Sequence, residues 1–218
     1  MHIDTLSAFF YTCPYITGEP EMNYYDFLKW TLRRIRNRYK DLKQWYRLEK
    51  TLDPSVTFEK DVLVKKRQNL FLGKDIHISR GVILDCGGSR WCDYRGKITI
   101  GDHVYISYNA ILLGAGEIEI GKGAKIGNQS LITSYTPDGK ILGKNRKLVE
   151  QSITPHEFKK VTIGERAFIG AGCTILMGVT IGHDAVISPG TVIRHNVEPF
   201  SFVFPNTRLN SRSYQPKH

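Results

Sequence analysis

The chain has 218 residues, 41% of them hydrophobic and 24% charged, which is enough to bury one substantial core and excludes a disordered tail. Four cysteines exclude a disulfide scaffold, and no uninterrupted apolar run approaches the roughly eighteen residues of a membrane span. The net charge of +10 is lopsided, because Asp26 to Lys50 hold nine Lys or Arg against three acids.

Residues 1–21 read as an extension with no legible function. The segment from Ser7 to Ile16 lacks the basic start and small-residue exit of a secretory signal, so a cytoplasmic location is expected. Residues 22–54 read as a basic amphipathic helical arm. Leu28, Leu32, Ile35, Tyr39, Leu42 and Tyr46 alternate spacings of four and three, and Pro54 lies just past the end. Arg33, Arg34, Arg36, Arg38, Lys40 and Lys43 crowd the other faces. In the plainer reading the arm lies on the rest of the protein or on a partner subunit with its charges solvated. In the sharper one, residues 24–48 touch the inner face of an anionic membrane peripherally. Nucleic acid is not expected as a partner, since no platform of aromatics and arginines is visible.

From Ile163 an isoleucine recurs at every sixth residue: Ile163, Ile169, Ile175, Ile181, Ile187, Ile193. The fourth residue after each is small or β-branched: Ala167, Cys173, Val179, Ala185, Thr191, Val197. Shorter runs repeat the spacing at Leu72, Ile78, Leu84, at Ile100, Ile106, Leu112, and at Ile120, Ile126, Ile132. A period of six fits neither a helix nor a two-sided strand, but it fits a triangular coil in which each hexad is one flat side. The fifteen anchors predict an all-β solenoid of about five coils over residues 55–208, with aliphatic side chains stacked inside parallel strands. Insertions interrupt it at 85–99 and 133–162, and residues 209–218 form a tail. A repeat array carries its chemistry in such excursions, because the stack itself is rigid.

The stretch IGERAFIGAGCTILMGVTIGHDAVISPGTVI, Ile163 to Ile193, resembles the hexapeptide-repeat, left-handed β-helix acyltransferases. Within them the chain is similar to the sugar O-acetyltransferases of the maltose and galactoside acetyltransferase kind. The resemblance implies a left-handed parallel β-helix with an N-terminal α-helical arm and a projecting loop, a homotrimer with sites between neighbours, and acetyl-CoA as co-substrate. It also implies a saccharide or lipid-linked saccharide as acceptor, in surface polysaccharide or glycoconjugate synthesis.

Transfer to a hydroxyl needs a base, and histidine suits neutral pH. The family's histidine would fall at 135–137, where the chain has Tyr135, Thr136 and Pro137. Three readings stay open. His156, oriented by Glu157, folds back as the base, with Tyr135, itself no comfortable base at pH 7, as a further catalytic candidate and Asn109 either a polar residue near the acceptor or a structural corner; or the acceptor is an amine and the protein an N-acetyltransferase; or the prism is an inactive scaffold or binding subunit. By the same resemblance, Gly170, Ala171, Met177, Gly178, Ser188 and Pro189 line the pantetheine groove and Arg194 and Arg208 meet coenzyme phosphates. Direct transfer is expected, since no Ser or Cys nucleophile has an adjacent base. No metal is expected: His103 and His183 are read as equivalent corner positions three layers, about 14 Å, apart, too far to share a zinc ion. Cys13, Cys86, Cys92 and Cys173 are read as reduced thiols.

Overall fold

The computed structural model describes residues 28–29, 31–33, 35–36, 52–87, 96–137, 156–205 and 212–213. The chain divides into two units, Met1–Glu49 and Lys50–His218. In the first, the described residues between 28 and 36 are helical.

The second unit is a three-walled, left-handed parallel β-helix. One wall runs through Thr57–Phe58, His77–Ile78, Tyr105–Ile106, Lys125–Ile126, Phe168–Ile169, Val186–Ile187 and Ser201–Val203, closed by the antiparallel strand Arg212–Ser213. The second holds six parallel strands: Leu63–Lys65, Ile83–Asp85, Ile111–Leu113, Leu131–Thr133, Thr174–Ile175 and Val192–Ile193. The third holds Leu70–Leu72, Ile98–Ile100, Ile118–Ile120, Val161–Ile163 and Thr180–Ile181, with Val197 bridging to Ile181. Six strands in the second wall mean six coils. The coil from Thr57 to Leu72 extends the count beyond the expected five because Phe58 and Val64 fill the anchor positions without the Ile-Gly signature seen later.

Register makes the anchors stack. Ile78, Ile106, Ile126, Ile169 and Ile187 are successive partners on the first wall, and Leu84, Leu112, Ile132, Ile175 and Ile193 on the second. Every anchor except Leu72 is buried, and in its coil Leu70, aligned with Ile98 two places before the anchor, is the buried residue. The positions two residues before the anchors form a second buried column, which explains why they are small or β-branched: Ala167, Cys173, Val179, Ala185 and Thr191 are also buried. Two side chains per hexad point inward; from Ile163 on the second is the slimmer of the two, while Ile76, Ile98 and Ile118 fill that place in earlier coils.

Candidate active site

The second insertion is rooted by a buried serine. Ser134 Oγ donates to the Leu113 carbonyl at 2.8 Å and accepts the Gly116 N–H at 2.8 Å, while the Ser134 carbonyl accepts the Lys159 N–H at 2.9 Å. The excursion therefore leaves the end of the second wall and returns to the start of the third at one place. Between those points Tyr135–Pro137 pairs antiparallel with His156–Phe158, so the expected irregular loop starts and finishes as a ribbon. Residues 138–155 and 88–95, the outer parts of the two insertions, lie outside the described residues.

Pairing of Tyr135 with Phe158 and of Pro137 with His156 puts Tyr135, His156 and Phe158 on one face. The Tyr135 and His156 rings meet edge-on, with centroids 5.8 Å apart and planes at 63°. The structure thus brings together His156 and Tyr135, two of the three catalytic candidates. Glu157 does not orient His156: it points to the opposite ribbon face with Thr136, and its Oε2 lies 3.8 Å from Lys159 Nζ.

The other site candidates fall on two edges of the prism. At the edge between first and second walls, the corners Ser79–Gly81, Ser107–Asn109, Gly127–Gln129, Gly170–Gly172 and Ser188–Gly190 stack as a column. In each pair of layers, the N–H of the last corner residue donates to the middle residue's carbonyl below: Asn109 to Arg80, Gln129 to Tyr108, Gly172 to Asn128, Gly190 to Ala171. That last residue is left-handed throughout, and Asn109, with φ 56°, is exposed and occupies a place held by glycine in three other layers. Gly170 is buried directly beneath Pro189; a Cβ there would lie 2.5 Å from the Pro189 nitrogen. Its lack of a side chain is explained by the stacking of coils.

At the edge between second and third walls lie the ribbon, then Met177 and Gly178 one coil on, then Arg194. The Gly178 N–H donates to the Lys159 carbonyl at 3.3 Å, linking that corner to the ribbon's base. Asn109, Gly170, Ala171, Ser188 and Pro189 thus share one edge, and Tyr135, His156, Met177, Gly178 and Arg194 share the next. Six residues of extended chain separate Ala171 from Met177, about 20 Å. The two groups cannot act on one hydroxyl within one copy. Arg208 lies outside the described residues.

Between these edges, the outer face of the second wall carries Leu63, Ile83, Ile111, Leu131, Thr174 and Val192 in register, with Leu63 45% and Val192 50% exposed. Sequence reading missed this ladder, although aliphatic triplets such as Ile111-Leu112-Leu113 signal a strand apolar on both faces. The remaining edge is ionic. Arg166 there holds Asp184 through two hydrogen bonds of 2.7 Å, and together with the His183 ring it lowers the Asp184 carboxyl to about 2. At this edge His103 aligns with Asp184, both left-handed, while His183 aligns with Asp102. The two histidines are therefore offset by one residue and are not equivalent corners.

His77, which has no partner near in sequence, gains one from the coil before: its Nε2–H donates to Glu59 at 2.8 Å, and its ring stacks on Tyr105 at 5.1 Å. The Glu59 carboxyl is held below its ordinary value by that hydrogen bond and by the Arg80 N–H. Burial pushes the Cys86 thiol up to about 12 and raises that of Cys173, so neither is a ready thiolate. Among the described residues no group of three His, Cys, Asp or Glu is placed to hold a metal ion.

Walls, corners and period define the class: a left-handed parallel β-helix of hexapeptide repeats. Residues 160–194 match the family model described as hexapeptide repeat of succinyl-transferase. Nodulation protein L of Rhizobium leguminosarum bv. viciae is 39% identical over 89 residues, covering 41% of this chain and 43% of that protein. Nodulation protein L of Rhizobium meliloti is 37% identical over 108 residues, covering 50% and 55%. The chain spans about half the length of the curated relatives it matches. Among solved structures, the N-acyltransferase AntD of Bacillus cereus, in complex with dTDP and 3-hydroxybutyryl-CoA, superposes with a TM-score of 0.62 at 18% identity, covering 80% of this chain and 88% of that one. At that identity the likeness concerns the fold.

Proposed function

We propose that the protein is an acetyl-CoA-dependent transferase that acetylates a saccharide hydroxyl, each site being assembled at the seam between two copies of a trimer. The observation that carries this reading is the placement of the candidate residues on the two edges that bound the aliphatic wall. A copy that turns its second wall toward a threefold axis meets one neighbour through each bounding edge, so the first edge of one copy faces the second edge of the next. The third edge, with its Arg166–Asp184 clamp, faces water.

In the seam His156 takes the proton of the acceptor hydroxyl as its oxygen attacks the thioester carbonyl. The tetrahedral adduct collapses, the C–S bond breaks, and the proton passes to the departing coenzyme A thiol. Tyr135 fixes the imidazole edge-on, and the corner at Ala171–Gly172 and Ser188–Gly190 offers a small-residue groove to pantetheine. A second reading, acceptance by a sugar amine, is favoured by the absence of histidine at 135–137, since a neutral amine needs less help from a base. AntD, an N-acyltransferase, shares the fold.

Thiol release from acetyl-CoA, measured with neutral sugars and with amino sugars, tests both readings. Faster release with hydroxyl acceptors and its loss in His156→Ala are expected. Release only with amines, unchanged in that variant, establishes the second reading, and none with any acceptor refutes both. Co-refolding inactive His156→Ala with Ala171→Arg, whose side chain would block the pantetheine corner of the first edge, regenerates native seams in mixed trimers, about a quarter of the total at equal mixing. No recovery places the site within one copy.

A further inference from the structure

The N-terminal helix presents an apolar stripe to solvent. Leu28, Leu32 and Ile35 are 37, 63 and 57% exposed, and at 3.6 residues per turn they fall within about 60° of one another. Lys29, Arg33 and Arg36, all exposed, fall within a similar arc roughly 100° to one side. The bases therefore border the stripe. Long cationic side chains so placed reach headgroups while their stems lie along the acyl boundary.

We propose that this face docks on an anionic membrane surface. Charge complementarity selects that occupant. Residues 26–50 carry nine Lys or Arg against three acids, so a second copy of the same helix would be repelled. Nucleic acid would satisfy the bases but has no use for an aliphatic stripe. Among the described residues no helix is long and apolar enough to cross a membrane. The contact depends on the arm and is independent of the acyl-transfer reading.

Co-sedimentation of the full chain with vesicles of phosphatidylcholine, with and without about one-third phosphatidylglycerol, tests the contact. Binding to the anionic vesicles alone, released by high salt, is expected. Arg33→Ala with Arg36→Ala weakens it on the order of 25-fold, about fivefold for each base. Leu32→Asp with Ile35→Asp abolishes it, with far-ultraviolet circular dichroism confirming the fold of both variants. Equal binding to neutral vesicles, or no binding to anionic ones, overturns the proposal. So does tight binding to duplex DNA that survives Leu32→Asp, or a fall in the protein's own sedimentation mass on that substitution without vesicles, which marks a contact between copies.

Discussion

Gly170 and Gly172 occupy the same corner for different physical reasons, and replacing each by alanine separates packing from ligand binding. At Gly170 the new Cβ would lie 2.5 Å from the Pro189 nitrogen and 2.7 Å from the Ile187 carbonyl oxygen, where ordinary contact begins at 3.4 Å. Relief requires the next coil to move by most of an ångström, but that coil is tied down by the Gly170 N–H to Ile187 bond and the Gly190 N–H to Ala171 bond, each 2.8 Å. Overpacking costs about 1–3 kcal/mol. Loosening the two hydrogen bonds adds about 1 kcal/mol, for a total of about 2–4 kcal/mol. At Gly172 nothing lies within 4 Å, and the only cost is the left-handed φ of 66°, about 1–2 kcal/mol. The more restricted unfolded chain offsets part of it, leaving about 1 kcal/mol. Calorimetry should show Gly170→Ala lowering Tm by roughly 5–15 °C and Gly172→Ala by about 2–4 °C. Gly172→Asn should do better than Gly172→Ala, as Asn109 already serves at that place two layers away. A Gly170→Ala protein as stable as the parent that has lost coenzyme A affinity would refute the packing explanation and return Gly170 to the binding groove.

Core and surface of one strand should respond unequally: Ile169→Ala, fully buried between Ile126 and Ile187, should cost about 2–5 kcal/mol in urea unfolding, and Phe168→Ala, half exposed beside it, less than about 1 kcal/mol. Leu131→Arg, at the middle of the aliphatic wall, should yield monomers by sedimentation and lose acyl transfer, while Thr162→Arg on the third wall should do neither. The Asp184 carboxyl, at about 2 when folded and about 3.9 when unfolded, contributes its stability above about pH 4 and loses it as the pH falls toward 2. The Tm difference between parent and Asp184→Asn should therefore shrink across that window; a constant difference would assign the residue's effect to packing.

The coil was legible because it repeats: an isoleucine at every sixth place from Ile163 to Ile193 admits few architectures, and each anchor there is buried. The first coil was not, because Phe58 and Val64 stand at its anchor places with neither isoleucine nor a following glycine to mark them. Outer faces were harder still. A side chain on a parallel strand has as neighbours residues one coil away, eighteen or more positions distant, so the Glu59–His77 pair leaves no local pattern and the Leu63-to-Val192 ladder leaves only scattered aliphatic triplets such as Ile111-Leu112-Leu113. Gly170 misled because glycine has two uses, close approach to a ligand and close approach to the next layer, and the sequence spells both alike.

An insertion in such a stack obeys a constraint the repeat imposes. Its two ends must leave and rejoin adjacent walls of one coil, so whatever lies near either end is delivered to the same mouth. Here Ser134 and Lys159 are bonded to each other, and pairing of Pro137 with His156 follows from that closure. A base required at this mouth can therefore come from the returning strand as readily as from the departing one. Positions 135–137, where the resemblance implies a histidine, and His156 are separated by a whole insertion in sequence and by 5.8 Å between the rings of Tyr135 and His156 in space. Exchanging the two, Tyr135→His with His156→Tyr, should keep acyl transfer within about tenfold of the parent if position at the mouth is what counts. Loss as deep as that of His156→Ala alone would show that the returning strand supplies something the departing strand cannot.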